Sequence, residues 1–109
     1  MKIDETKSGD VVVIEISGRL DTTNYQELET KLAGILDRKE TNILLDIRKL
    51  EYVSSSGLRI LLMYLKKIKA LQGRLMLCSM SPEIREIFEI SGFINIFEVY
   101  EDRAKALEA

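Results

Sequence analysis

Ile43-Leu44-Leu45-Asp46-Ile47 is followed by Leu50-Glu51-Tyr52-Val53, then by Ser54-Ser55-Ser56-Gly57, then by a helical pattern from Leu58 to about Leu71. The first run is short and nearly all apolar, as expected of a central strand covered on its faces. Three serines and a glycine between an apolar segment and a helix read as the start of that helix. Reading on, Gln72-Gly73 stops the helix, with the glycine supplying a left-handed cap. Arg74-Leu75-Met76-Leu77-Cys78 is the next strand. Strand, helix, strand in this order is the unit of a parallel sheet with a right-handed crossover.

The same alternation extends outward on both sides. Upstream, Thr23 with Gln26 three residues on makes a capping box. Tyr25, Leu28, Leu32, Ile35 and Leu36 then follow at helical spacing. Before that, Val12, Ile14 and Ile16 share one face of a strand over Val11 to Ser17. Ser8-Gly9-Asp10 turns it back against Lys2 to Thr6, so the chain opens on a hairpin. Gly18-Arg19-Leu20-Asp21 leaves the sheet. Downstream, Ser81-Pro82-Glu83 opens a third helix with a cap, a first-turn proline and an acid. Ile84, Ile87, Phe88 and Ile90 are its inner face, and Ser91-Gly92 ends it. Asn95 to Val99 reads as a last strand and Glu101 to Ala109 as a terminal helix. The order is ββαβαβαβα: an α/β fold, a small mixed β-sheet flanked by helices, read as one domain over residues 1–109.

Composition narrows the chemistry. The 109 residues carry 16 Lys and Arg against 18 Asp and Glu, for a net charge of −2. Mixed, mildly acidic charge argues against nucleic acid or an anionic membrane surface as partner. There is no histidine, which removes imidazole acid–base chemistry, metal ligation and phosphotransfer. One cysteine, Cys78, allows no internal disulfide and reads as inert core. The longest apolar stretch, Ile60 to Leu65, is far short of a bilayer span, and the first residues lack a signal sequence's apolar run. A cytoplasmic location is expected.

Few residues are left to carry function. The serines offer two readings: a helix cap with spare hydroxyls, or a helix start that handles phosphate, as ligand or as modification. A serine hydrolase is poorly supported, because the loop lacks a Gly-x-Ser-x-Gly elbow and the chain has no base of the usual kind. No phosphate-binding P-loop pattern occurs. On the second helix, Leu58, Leu61, Leu62, Leu65 and Ile68 share one broad face, widened by Ile60, Tyr64 and Leu71. Arg59, Met63, Lys66, Lys67 and Ala70 occupy the other. Met63 among cations is either a scattered surface residue or part of a partner surface. Ser55, Arg59, Met63 and Lys66 advance by four, four and three, a stripe down one side. Asp21 lies beside that stripe if the strand order brings the two loops together. Asp21 and Asp46 otherwise read as turn or cap acids, and two distant acids make no metal site.

Gly18-Arg19-Leu20-Asp21, Leu44-Leu45-Asp46-Ile47, Tyr52-Val53-Ser54-Ser55-Ser56-Gly57-Leu58, Ser91-Gly92-Phe93 and Tyr100-Glu101-Asp102-Arg103-Ala104 follow one another at the spacing of a known family. The chain resembles, over essentially its whole length, a STAS domain of the bacterial anti-sigma factor antagonist type. The resemblance implies a partner-switching regulator and no enzyme, with no cofactor and a monomeric free state. It implies that the unphosphorylated form binds an anti-sigma factor that is also a serine kinase of the histidine-kinase-like ATPase fold. Phosphorylation of one serine releases the complex, and a metal-dependent serine phosphatase resets it. Aligned on Gly57-Leu58, the acceptor is Ser55, with Ser56 and Ser54 as runners-up. Ser54 stands where the family usually has Asp. Joined to the stripe on the second helix, this loop gives an expected partner surface of Asp21, Ser54, Ser56, Gly57, Arg59, Met63 and Lys66. Two other roles are open to such a module: sensing a nucleotide or other anion at the same helix start, or serving as a subunit of a larger signalling or transport assembly.

Overall fold

A computed structural model describes residues 1–109. The opening hairpin pairs β1 (Lys2–Ser8) with β2 (Val11–Leu20) in antiparallel register, Ile3 opposite Ile16. Gly9 turns the corner at φ +59°, a left-handed conformation that glycine adopts without a Cβ clash. From β2 the chain alternates: α1 (Tyr25–Asp37), β3 (Asn42–Asp46), β4 (Leu50–Val53), α2 (Ser55–Ala70), β5 (Arg74–Cys78), α3 (Pro82–Ile90), a 3₁₀ turn (Phe93–Asn95), β6 (Glu98–Tyr100) and α4 (Arg103–Glu108). The sheet runs β1-β2-β3-β5-β6, with β4 attached to β2; apart from the hairpin, all pairs are parallel. The expected order of elements stands, with β4 added to it.

β4 exists because β2 changes partner. Val12 to Glu15 pair with β3; beyond them the chain bulges at Gly18, at φ +90°, and Gly18 to Leu20 pair with β4. The Gly18 N–H donates to the Lys49 carbonyl at 3.0 Å. A bulge that lets a strand bend and twist is a common use of glycine at this position.

The two faces of the sheet are unequal. Val12, Ile14, Ile16, Ile43, Leu45, Leu75 and Leu77 point to one face, where α1, α2 and α3 cover them with Leu28, Leu32, Ile35, Leu61, Ile68, Ile84 and Phe88, all at most 1% exposed. Burying each such side chain contributes about 1.5–3 kcal/mol. The other face carries Val13, Leu44, Met76 and Cys78, with Ala106 of α4 packed on them.

Three local expectations shift. Asn24, one residue after Thr23, caps α1, and its Oδ1 accepts from the Asp21 N–H at 2.9 Å instead of from the helix. At the end of α2 the positive φ falls on Gln72 (+64°) and not on Gly73. Gly73 is needed for space: a Cβ there would stand 2.1 Å from the Thr41 carbonyl oxygen. The last strand begins at Glu98, three residues after the expected start. Gly92 (φ +79°) leads instead into the 3₁₀ turn. That turn aims Phe97 into the core, its ring edge-on to Phe88 at 5.8 Å.

Candidate functional site at the start of the second helix

The parallel pairing of β2 with β4 sets Leu20 beside Val53, so the loops that leave these two strands are neighbours. The Ser54 N–H donates to the Leu20 carbonyl at 2.9 Å and ties them together. From this junction the three serines take different duties. Ser54, at extended backbone angles, is the N-cap of α2; its Oγ accepts from the Gly57 N–H at 3.2 Å, and the residue is only 9% exposed. Ser56 is half-buried, with its Oγ 3.4 Å from the Thr22 Oγ1 across the junction. Ser55, the first helical residue, is exposed, and its hydroxyl has no hydrogen-bond partner. Ser54, standing where the resemblance implies Asp, is thus a working cap, because serine and aspartate serve equally there. Gly57 allows the close approach: a Cβ would lie 2.8 Å from Leu20 Cγ and 2.9 Å from Val53 Cγ2.

The facing loop is tied to itself. Asp21 accepts from the Thr23 hydroxyl at 2.6 Å and from the Thr23 N–H at 3.0 Å. These bonds, the hydroxyl first, hold its carboxyl below the usual aspartate range. Arg19 Nε lies 3.7 Å from Asp21 Oδ2, and the guanidinium stacks over the Tyr52 ring at 4.3 Å. The Asn24 side-chain amide donates to the Arg19 carbonyl at 2.8 Å. Asp21, Ser54, Ser55, Ser56 and Gly57 therefore meet at one end of the sheet. The contributions of Thr22, Arg19 and Tyr52 are legible only from the β2–β4 pairing.

Down α2, Arg59 and Lys66 are exposed and make no ion pair. Met63 is half-buried and touches the rim of the main core, so it belongs partly to each side. Leu62, expected on the inner face, is likewise only half-buried. Asp46 is not part of this site. It is 4% exposed, accepts from the Arg48 N–H at 3.1 Å and from Arg103 Nε at 2.9 Å, and so anchors α4 to the sheet's second face. Burial pushes the Cys78 thiol up to about 11, which leaves it unreactive near neutral pH. No group of three or more Cys, Asp or Glu side chains is placed to hold a metal ion, and no helix is long and apolar enough to cross a membrane.

Comparison with known proteins bears on this geometry. The sequence model of the STAS domain matches residues 2–106. The Bordetella bronchiseptica protein BtrV, named for an anti-sigma factor antagonist role, is 38% identical over 109 residues, covering all of this chain and 94% of its own. Among solved structures, TM1081 of Thermotoga maritima, described in the same terms, superposes with a TM-score of 0.92 at 20% identity, over 97% of this chain and 92% of that one. The Bacillus cell-fate determinant SpoIIAA in its phosphorylated form superposes with a TM-score of 0.75 at 23% identity, over 98% and 97%. The chain belongs to the STAS domain family, in its branch of anti-sigma factor antagonists.

Proposed function

We propose that this protein is a partner switch whose setting is the phosphorylation state of Ser55. One observation carries the reading: of three adjacent serines, Ser55 alone is exposed with an uncommitted hydroxyl, at the first position of a 16-residue helix. In the unphosphorylated state the surface formed by the Asp21 loop, Ser54 to Gly57, Arg59, Met63 and Lys66 binds an anti-sigma factor. That partner doubles as a serine kinase of the histidine-kinase-like ATPase fold, and a sigma factor is freed. A phosphoserine adds about 1.5–2 negative charges. In the free domain the amino end of α2 tolerates them. Pressed into an interface beside Asp21 they meet repulsion and loss of hydration, at a cost of several kcal/mol. The complex separates while the domain stays folded, and a serine phosphatase restores binding. The protein acts in the cytoplasm as a monomer between partners, as a binding module with no turnover of its own.

The test is intact-mass analysis after incubation with candidate ATPase-fold kinases and ATP. Wild type gains one phosphate, mapped to Ser55, and ceases to co-elute with the kinase; Ser55→Ala gains none and still binds. Full phosphorylation of Ser55→Ala, at Ser54 or Ser56, overturns the assignment. Anion or nucleotide binding with no kinase present, and no modification at all, supports a sensor instead.

A further inference from the structure

Unpaired cations are concentrated on α2; outside it only Lys39, Arg48 and Arg85 make no ion pair, and Arg85 shares α3 with Glu83, Glu86 and Glu89. Every Lys and Arg on β1, β2, α1, β5 and α4 pairs with a carboxylate. α2 carries Arg59, Lys66, Lys67 and Lys69, no acid, and none of the four is in an ion pair. In a chain of net charge −2, this leaves one helix as an unneutralised basic surface. Ser55, Arg59, Leu62, Lys66 and Lys69 advance by four, three, four and three, which makes one line along the outward side of a 3.6-residue helix. The 4-3-4-3 spacing is that of a seam on which a second helix packs.

The line leads somewhere. About 21 Å from Ser55, at 1.5 Å per residue, Lys69 stands at the edge of a cleft of about 340 Å³. Leu65, Leu75 and Phe97 supply its apolar lining, and Ile96 at its rim is 44% exposed. Glu98, also in the lining, is matched by Arg74, which also donates to the Tyr100 hydroxyl at 3.0 Å. The cleft thus sets the apolar walls of Leu65, Leu75 and Phe97 beside the Arg74–Glu98 pair, with Lys69, which makes no ion pair but whose charge acts on Glu98, at its edge. It lies at the far end of α2 from the switch serine.

We propose that an acidic helix of the protein partner lies along this line and seats an apolar side chain in the cleft. The proposal deepens the switch reading and rests on it: contact with Ser55 sets release, and the Lys66–Lys69–cleft contact supplies binding that phosphate does not reach. The separation exceeds the screening length of about 8 Å at physiological salt. The phosphorylated protein therefore keeps a weak, salt-sensitive hold on its partner.

Two measurements decide it. The ¹⁵N-labelled full chain is titrated with a synthetic amphipathic peptide, two repeats of Glu-Glu-Leu-Phe-Glu-Glu-Leu-Ala with blocked ends. Amide shifts are expected at Arg59, Lys66, Lys69, Ile96 and Phe97, and at least tenfold weaker binding in Lys66→Glu/Lys69→Glu, whose positions are exposed and leave the fold intact. Absence of shifts at millimolar peptide, or shifts on another face, overturns the proposal. In the second measurement, affinity for the phosphorylating kinase is compared for wild type, Ser55→Asp, Lys66→Glu/Lys69→Glu and Ile96→Asp. A loss of tenfold or more in the last two, steeper at low salt and multiplying with the loss from Ser55→Asp, supports it. If Ser55→Asp releases the kinase while the other variants bind as wild type does, the extended line is wrong and the switch stands. If those variants weaken binding and Ser55→Asp does not, the line stands and the switch reading fails.

Discussion

Three neighbouring hydroxyls of identical chemistry are sorted by backbone position alone. Ser54 is turned inward at the cap, Ser56 faces Thr22 across the junction, and Ser55 is left to solvent. Removing the cap hydroxyl in Ser54→Ala leaves the Gly57 N–H without its acceptor, and urea unfolding should show a loss of about 0.5–2 kcal/mol. The same variant should still accept phosphate at Ser55, because the acceptor hydroxyl takes no part in the cap. Ser54→Asp exchanges one good capping residue for another. It caps as well as serine and adds a negative charge at the positive end of α2, so a gain of about 0.3–1 kcal/mol is expected in the same measurement. Gly57 tolerates no such exchange. An alanine methyl would press on Leu20 and Val53, both buried, and overpacking of this kind costs about 1–3 kcal/mol. A lowered melting temperature in Gly57→Ala, together with weaker partner binding, checks it.

Elements differ in how far local sequence determines them. The centres of the inner faces of α1, α2 and α3 were legible because each is written in contiguous residues at helical spacing: Leu28, Leu32 and Ile35, then Leu58, Leu61 and Leu65, then Ile84 and Phe88. The ends were not, since Leu71 and Ile90, expected on those faces, lie past or at the last turn and are 55% and 80% exposed. The site motif was legible for the same reason, as a cap and a glycine within four residues. β4 was not, since Leu50 to Val53 become a strand only by pairing with the end of β2, which depends on the Gly18 bulge 32 residues upstream. The start of β6 was displaced by Phe97, whose burial against Phe88 outweighs the strand preference of the preceding residues. Nor could spacing show that Asp46 waits for Arg103, 57 residues later. The Gly18 bulge therefore controls the site at a distance. In Gly18→Ala a non-glycine residue is forced to φ +90°, although the nearest atom to its Cβ, Met1 Cα, is at an ordinary 3.6 Å. The cost is backbone strain of about 1–3 kcal/mol. Hydrogen exchange should report it as faster opening of the Ser54 N–H, whose acceptor is Leu20, before the amides of β3 and β5 respond.

At the scale of the whole molecule, three helices pack on one face of the sheet, and the outer elements are tied on by ion pairs. Glu5 of β1 reaches Lys31 of α1 at 2.6 Å and Arg38 just beyond α1 at 2.6 Å. Glu40 receives Lys7 of β1 at 2.5 Å and Arg38 at 2.8 Å. Glu98 of β6 is bound by Arg74 of β5. Each of these three carboxyls is held below the usual glutamate range: Glu5 by Lys31 and then Arg38, Glu40 by Lys7 and then Arg38, Glu98 by Arg74. A carboxyl with a lowered folded value binds fewer protons folded than unfolded. Its contribution is therefore complete above the unfolded glutamate value of about 4.3 and is lost as pH falls through the folded value. With no histidine to titrate, nothing of this kind acts between pH 6 and 8. The melting temperature should accordingly stay level from about pH 8 to about pH 5 and fall steadily towards about pH 3. Glu5→Gln removes two of these ion pairs at every pH, to Lys31 and to Arg38, at a cost of about 0.2–1 kcal/mol each near neutrality for partly exposed pairs. It should make the fall below pH 5 shallower, since a glutamine has no proton to take up. Identical acid limbs for wild type and Glu5→Gln would show that the Glu5 ion pairs contribute nothing to the acid dependence, leaving β1 held by its hairpin, Ile3 and the Lys7–Glu40 pair.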